Sequence, residues 1–199
     1  MELLSIVMFI VTFGTVLILP GPNSAFAVGQ SLKFGFMGSL AVPLGFMSAT
    51  GLHAALVFSG LALVVQQYSA VLIALKWFGV FYLLYLAFKS FTAKASKVEA
   101  SPQQISKLKM FLSALLVSLT NPKALLASFM LYPLFINSYD SYSMQAITLT
   151  LAAMAVSFLV YASYSLAAVA LKKRLARSTT ANKIVGSIYV GAAGMLAAK

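Results

Sequence analysis

Pro22 and Pro122 stand at matching places in the two halves of a chain of 199 residues, and each follows a residue that caps helices. The first lies in the run Pro20-Gly21-Pro22-Asn23 and the second in Asn121-Pro122-Lys123, both set in apolar sequence. Glycine or asparagine at an N-cap followed by proline starts a helix. Proline at the first helical position forfeits no bond, because first-turn amides have no intrahelical partner. A helix that stops and restarts inside an apolar stretch exposes those amide donors, with roughly half a positive charge at its new N-terminus. Lys123 adds a full charge beside the second restart. The chemistry available to such a pair of ends is capture of a small anionic group, such as a carboxylate. The plainer reading is two packing kinks with Lys123 snorkelling to the interface; repetition in both halves favours binding.

Few other residues are equipped for chemistry. His53 lies in an apolar stretch with Thr50 one turn before it, where it could titrate or simply bond a neighbouring helix. Ser157, Tyr161, Tyr164 and Ser165 share one face at helical spacing and could meet a bound solute or join helices. Lys76-Trp77 reads as an interface anchor. With no cysteine, one histidine and three acids in the chain, disulfides, thiol chemistry and ordinary metal clusters are excluded. All three acids are peripheral, so no nucleophile–base–acid set exists and neither a catalytic residue nor a cofactor is expected.

These residues must be positioned by membrane helices. Hydrophobic residues make up 61% of the chain and charged residues 9%, whereas a soluble domain carries roughly 25% charge. The net charge of +11 does not point to nucleic acid, because of where it lies. Lys89, Lys94, Lys97, Lys107 and Lys109 form one basic stretch and Lys172, Lys173, Arg174, Arg177 and Lys183 another. The stretches around Gln66–Ser69 and Asn137–Ser143 hold no Lys or Arg. Alternating basic loops mark a polytopic membrane protein with those loops in the cytoplasm.

The predicted fold is all-α. Spans are expected over Leu3–Leu32, Gly38–Val65, Ala70–Phe88, Met110–Ile136, Met144–Leu171 and Ile184–Ala198, with a turn at Gln66–Ser69. The last is short, about 15 residues where roughly 20 are usual. A signal peptide ending at Ala25-Phe26-Ala27 is the rival reading of the N-terminus, but no Lys or Arg precedes the apolar run, so the first span is retained. Six crossings place both termini outside. They divide one domain, 1–199, into a first repeat (1–91), a cytoplasmic linker (92–108) and a second repeat (109–199). Three spans per repeat gives the halves opposite orientation, with the first and fourth helices broken at Pro20-Gly21-Pro22 and Asn121-Pro122. Paired breaks in inverted repeats are the sequence mark of a secondary transporter's binding site.

Pro20-Gly21-Pro22-Asn23 followed by Gly35, Gly38 and Gly45 resembles the LysE/RhtB family of amino-acid exporters. So do Leu75-Lys76-Trp77-Phe78-Gly79, Leu119-Thr120-Asn121-Pro122-Lys123-Ala124 with Phe129, Pro133 and Phe135, and Asn182-Lys183 with Gly186 and Gly191. The motifs run in order along nearly the whole chain. The resemblance implies amino-acid efflux across a bacterial inner membrane, with Pro22, Asn23, Asn121, Lys123, His53, Ser157 and Tyr161 as substrate-binding candidates. No carboxylate lies inside a predicted span, so a relay through a buried acid is excluded and a neutral zwitterion is favoured over a cationic substrate. Expected partners are the amino acid and the lipid bilayer; a coupling ion (H+ or Na+) and a homo-oligomer stay open. Efflux of a metal cation such as cadmium is the alternative, disfavoured by the lack of sulfur ligands other than methionine.

Overall fold

A computed structural model describes residues 1–60, 106–175 and 178–197, together with single positions between 73 and 92. The described residues are helical, with no strand among them. In chain order the helices are α1 (Leu3–Ile18), α2 (Pro22–Ser39), α3 (Ala41–Phe58), α4 (Lys107–Leu119), α5 (Pro122–Leu134), α6 (Tyr142–Leu175) and α7 (Ser178–Ala197). The predicted turn at Gln66–Ser69 and nearly all of the predicted linker lie outside the described residues. So does much of the third predicted span.

Both breaks arise from the residue before a proline, which steric conflict with the ring drives out of the helical region. Leu19 before Pro20 is extended (φ −60°, ψ 132°), ending α1. Asn121 before Pro122 is also extended (φ −84°, ψ 106°), ending the turn after α4. The chain then bends by 66° between α1 and α2 and by 63° between α4 and α5. By length and composition α3 and α6 can each cross a membrane, and each bent pair can count as one further span.

Among the boundaries that differ from expectation, α3 stops at Phe58, short of the predicted Val65. The restarted helix α2 runs to Ser39 but is interrupted at Gly35, whose φ of 73° suits a residue without a Cβ. The last helix is 20 residues long because Ser178–Lys183 form its first turns instead of a loop.

Aromatic pairs fix which side of the breaks each element occupies. Phe9 of α1 lies 5.5 Å from Tyr132 of α5, so α5 returns to the side from which α1 came. Phe26 of α2 lies 6.1 Å from Phe46 of α3 on the other side. Helix α3 joins the two levels, since Phe58 at its end lies 5.1 Å from Tyr132. Antiparallel to it, α6 pairs Tyr161 with Phe46 at 4.7 Å and Tyr142 with Phe58 at 6.0 Å. Close packing is set by small residues. A Cβ on Gly45 would come within 2.6 Å of the Phe111 carbonyl, so α3 approaches the α4 backbone directly. Gly29 takes the Tyr189 ring in the same way, and Gly186 takes Phe91.

Candidate functional site

Asn23, the second residue of α2, and Asn121, the N-cap of α5, meet in the interior. The Asn121 Nδ2 group donates to Asn23 Oδ1 at 2.9 Å, and Asn23 Nδ2 donates to Ser118 Oγ on α4 at 3.0 Å. Asn121 Oδ1 in turn accepts from the Lys123 backbone N–H at 3.1 Å, the expected cap. One connected set of amides therefore ties both helix restarts together, with Asn23, Asn121 and Ser118 all buried. Burial obliges this pairing, because an unpaired amide in such a place costs about 1–3 kcal/mol.

The first restart is capped by other means. Gly21 has no side chain to offer, and Ser24 supplies one: the Gly21 N–H donates to Ser24 Oγ at 2.8 Å, and that hydroxyl donates to the Gly21 carbonyl at 2.9 Å. Gly21 itself is extended (φ 177°), so glycine is not demanded by its backbone. What it provides is room, since a Cβ there would lie 3.6 Å from Lys123 Cδ.

The first break also presents the carbonyl end of the helix that stopped there. The Lys123 ammonium donates to the Leu19 carbonyl and the Tyr164 hydroxyl to that of Ile18. The ammonium from the second break thus rests on the negative end of α1 at the first. Tyr161 completes the wall and interacts with Asn23. Leu17, Leu19, Gly21, Asn23, Asn121 and Lys123 surround a cleft of about 10 Å³, scarcely the room of one water. The conformation is closed around the breaks.

Of the residues singled out in the sequence, Gly21, Pro22, Asn23 and Asn121 are buried at the breaks, Pro122 and Lys123 are half-buried, and Pro20 is exposed. Tyr161 joins them at the cleft. His53 and Ser157 are buried but do not line it. Thr50 Oγ1 lies 3.0 Å from Ser157 Oγ, a bond between α3 and α6. His53 Nε2 has no partner among the described residues. Ser118, Ser24 and the carbonyls of Ile18 and Leu19 join the site without having been singled out in the sequence. Ser24 was findable, as a hydroxyl three residues past an N-cap. Nothing in side-chain identity marks a carbonyl.

A family model for LysE type translocators matches residues 14–199. The chain is 29% identical over 191 residues to the leucine efflux protein of Salmonella choleraesuis, covering 92% of this chain and 89% of that one. It is 25% identical over 182 residues to an uncharacterized membrane protein of Vibrio cholerae, covering 89% of each. No solved structure matches the chain.

Proposed function

The chain belongs to the family of LysE type translocators, and from that premise we propose that it exports a neutral α-amino acid from the cytoplasm across a bacterial inner membrane. The substrate is of the homoserine, threonine or leucine type, or a close derivative. One observation carries the reading: the two helix restarts meet at the Asn23–Asn121 contact with Lys123 beside them. Two amide ends and an ammonium suit a carboxylate. The carbonyls of Ile18 and Leu19, now engaged by Tyr164 and Lys123, suit the substrate's own ammonium. A zwitterion thus finds both of its charges answered, with Lys123 leaving Leu19 for the carboxylate as the substrate enters.

Among the described residues no acid lines the cleft, so a cationic side chain would lack a counter-charge there, and neutral substrates are favoured. The Salmonella relative, a leucine efflux protein, supports the same class. The near-equal bends of 66° and 63° support a repeat in the two halves; six crossings with both termini outside rest on the alternating basic stretches. The closed cleft fits an occluded stage of alternating access. His53, buried with an Nε2 that has no partner among the described residues, is the group we assign to carry a proton if transport is proton-coupled.

A deletion strain challenged with a panel of amino acids and dipeptides tests the proposal. Sensitivity to one neutral amino acid, relieved by the wild-type chain and accompanied by its retention in the cells, is expected. Sensitivity confined to lysine and arginine would reverse the substrate assignment.

A further inference from the structure

Resting on that transport reading, we propose that Tyr132 and Phe135, at the tip of α5, form the gate through which substrate leaves toward the Met1 face. Two aromatic clusters bracket the cleft. On the Met1 side Phe9 lies 5.4 Å from Phe13, 5.5 Å from Tyr132 and 5.2 Å from Phe135, with Phe58 5.1 Å from Tyr132. Phe9, Phe13 and Tyr132 are fully buried. Tyr132 stands two turns, about 12 Å, beyond Ala124 at the cleft, and Phe13 stands one turn beyond Leu17. The cluster therefore plugs the path from the cleft to that face. On the opposite side Phe26 packs with Phe46 at 6.1 Å and Tyr189 at 6.3 Å, beside Tyr161.

The two plugs are held differently. Tyr189 is wedged: its hydroxyl accepts from Gln30 Nε2 at 3.0 Å, and a Cβ on Gly29 would meet that oxygen at 2.6 Å. Tyr132 is not secured in this way. Its hydroxyl is buried with no partner among the described residues, a penalty borne by the closed state alone, because water admitted by opening would satisfy it. The backbone beneath it is loosened as well. Pro133 lacks the N–H that the Phe129 carbonyl would otherwise receive. Beyond it the tip is held by bonds of 3.2 Å from Phe135 N–H to the Tyr132 carbonyl and 3.4 Å from Ile136 N–H to the Pro133 carbonyl. These span one residue fewer than α-helical bonds and are long. A ring plug on such a tip opens where the wedged one stays shut.

Tyr132→Phe keeps the ring contacts and removes the penalty, so it favours the closed plug. Efflux should slow by about fivefold or more, with the thermal midpoint unchanged or raised; efflux at the wild-type rate overturns the gate. A second readout needs no substrate. The chain contains no cysteine, so Ala124→Cys reports access to the cleft by an impermeant thiol reagent, applied to whole cells and to inverted vesicles. Adding Tyr132→Ala should accelerate labelling severalfold in whole cells and leave it unchanged in inverted vesicles. Phe9→Ala gives the same readout from α1 should the first variant fail to reach the membrane. Unchanged labelling in whole cells, or acceleration only in inverted vesicles, overturns the gate. Failure of every amino acid to leave loaded cells would instead strike the transport reading.

Discussion

Asn121 and Asn23 share a hydrogen bond of 2.9 Å across a separation of 98 residues. That bond holds the starts of two helices from different halves of the chain face to face. Each amide uses its oxygen and its nitrogen at once: Asn23 accepts from Asn121 and donates to Ser118, and Asn121 donates to Asn23 and caps α5. The pair makes one site of two breaks that would otherwise be separate.

Asn23→Asp should lock the transporter. It places a fixed carboxylate against two helix N-termini, where the substrate's own carboxylate is proposed to bind, and Ser118 can turn to donate. Membrane insertion and thermal midpoint should equal or exceed the wild type while efflux falls by at least tenfold, a loss of roughly 1.4 kcal/mol or more in transition-state terms. Asn23→Ala should instead lower both, because it strands the Asn121 amide at about 1–3 kcal/mol. Normal efflux by Asn23→Asp removes the carboxylate from this site.

Lys123→Met should abolish efflux and leave insertion intact. Lys123→Arg should keep a fraction of the activity at best, since a planar fork replaces a compact ammonium at the Leu19 carbonyl. Uptake into inverted vesicles measures both. Full activity of Lys123→Met would reduce the residue to a tether between α5 and α1.

The loop before α6 should respond to acid. Asn137 Nδ2 donates to Asp140 at 3.0 Å and the Met1 amine lies 3.2 Å from it. Together they hold the Asp140 carboxyl below the usual carboxylate range, the Asn137 bond contributing most. A depressed folded value makes the contribution complete above the unfolded value near 3.9 and lost as pH falls through the lower folded one. The thermal midpoint of solubilised protein should hold this contribution from pH 7 to about 5 and lose it below about 4. Asp140→Asn should start lower at neutral pH and lack that acid step. An identical acid response in both proteins would deny the carboxylate any part in holding the loop.

The breaks were legible because they are local. A proline forces its predecessor out of the helix and tolerates the first helical position, so Pro20-Gly21-Pro22 and Asn121-Pro122 announce their geometry in sequence. Lys123 was legible as a charge without a reason to be there. Which residues the breaks would meet was not, because Asn23, Asn121 and Ser118 come together only through packing of distant helices. The carbonyls of Ile18 and Leu19 belong to the backbone and carry no residue signature. Neither does the aromatic plug, since Phe9, Phe13 and Tyr132 read as ordinary apolar residues until α5 folds back against α1. Gly29, passed over in the sequence, takes the Tyr189 ring.

The basic stretches predict which side of the membrane each loop faces. Cysteines introduced singly at Ser96 and at Ser138, which is exposed, can be probed on whole cells with an impermeant thiol reagent. Labelling at Ser138 and protection at Ser96 are expected, with Met1 outside. The reverse pattern would invert the topology and turn the proposed exit into an entrance.

Passage of a neutral amino acid through the paired breaks can be measured with purified protein in liposomes loaded with labelled leucine. Pro22→Ala with Pro122→Ala removes the ring conflicts that end each helix and restores the backbone's capacity to bond continuously, which lipid favours. The wild-type chain should release leucine, and the double variant, inserted and as heat-stable, should release little or none. Equal release by both proteins would show that the breaks are not the route, and failure of the wild type to release any neutral amino acid would show that none crosses.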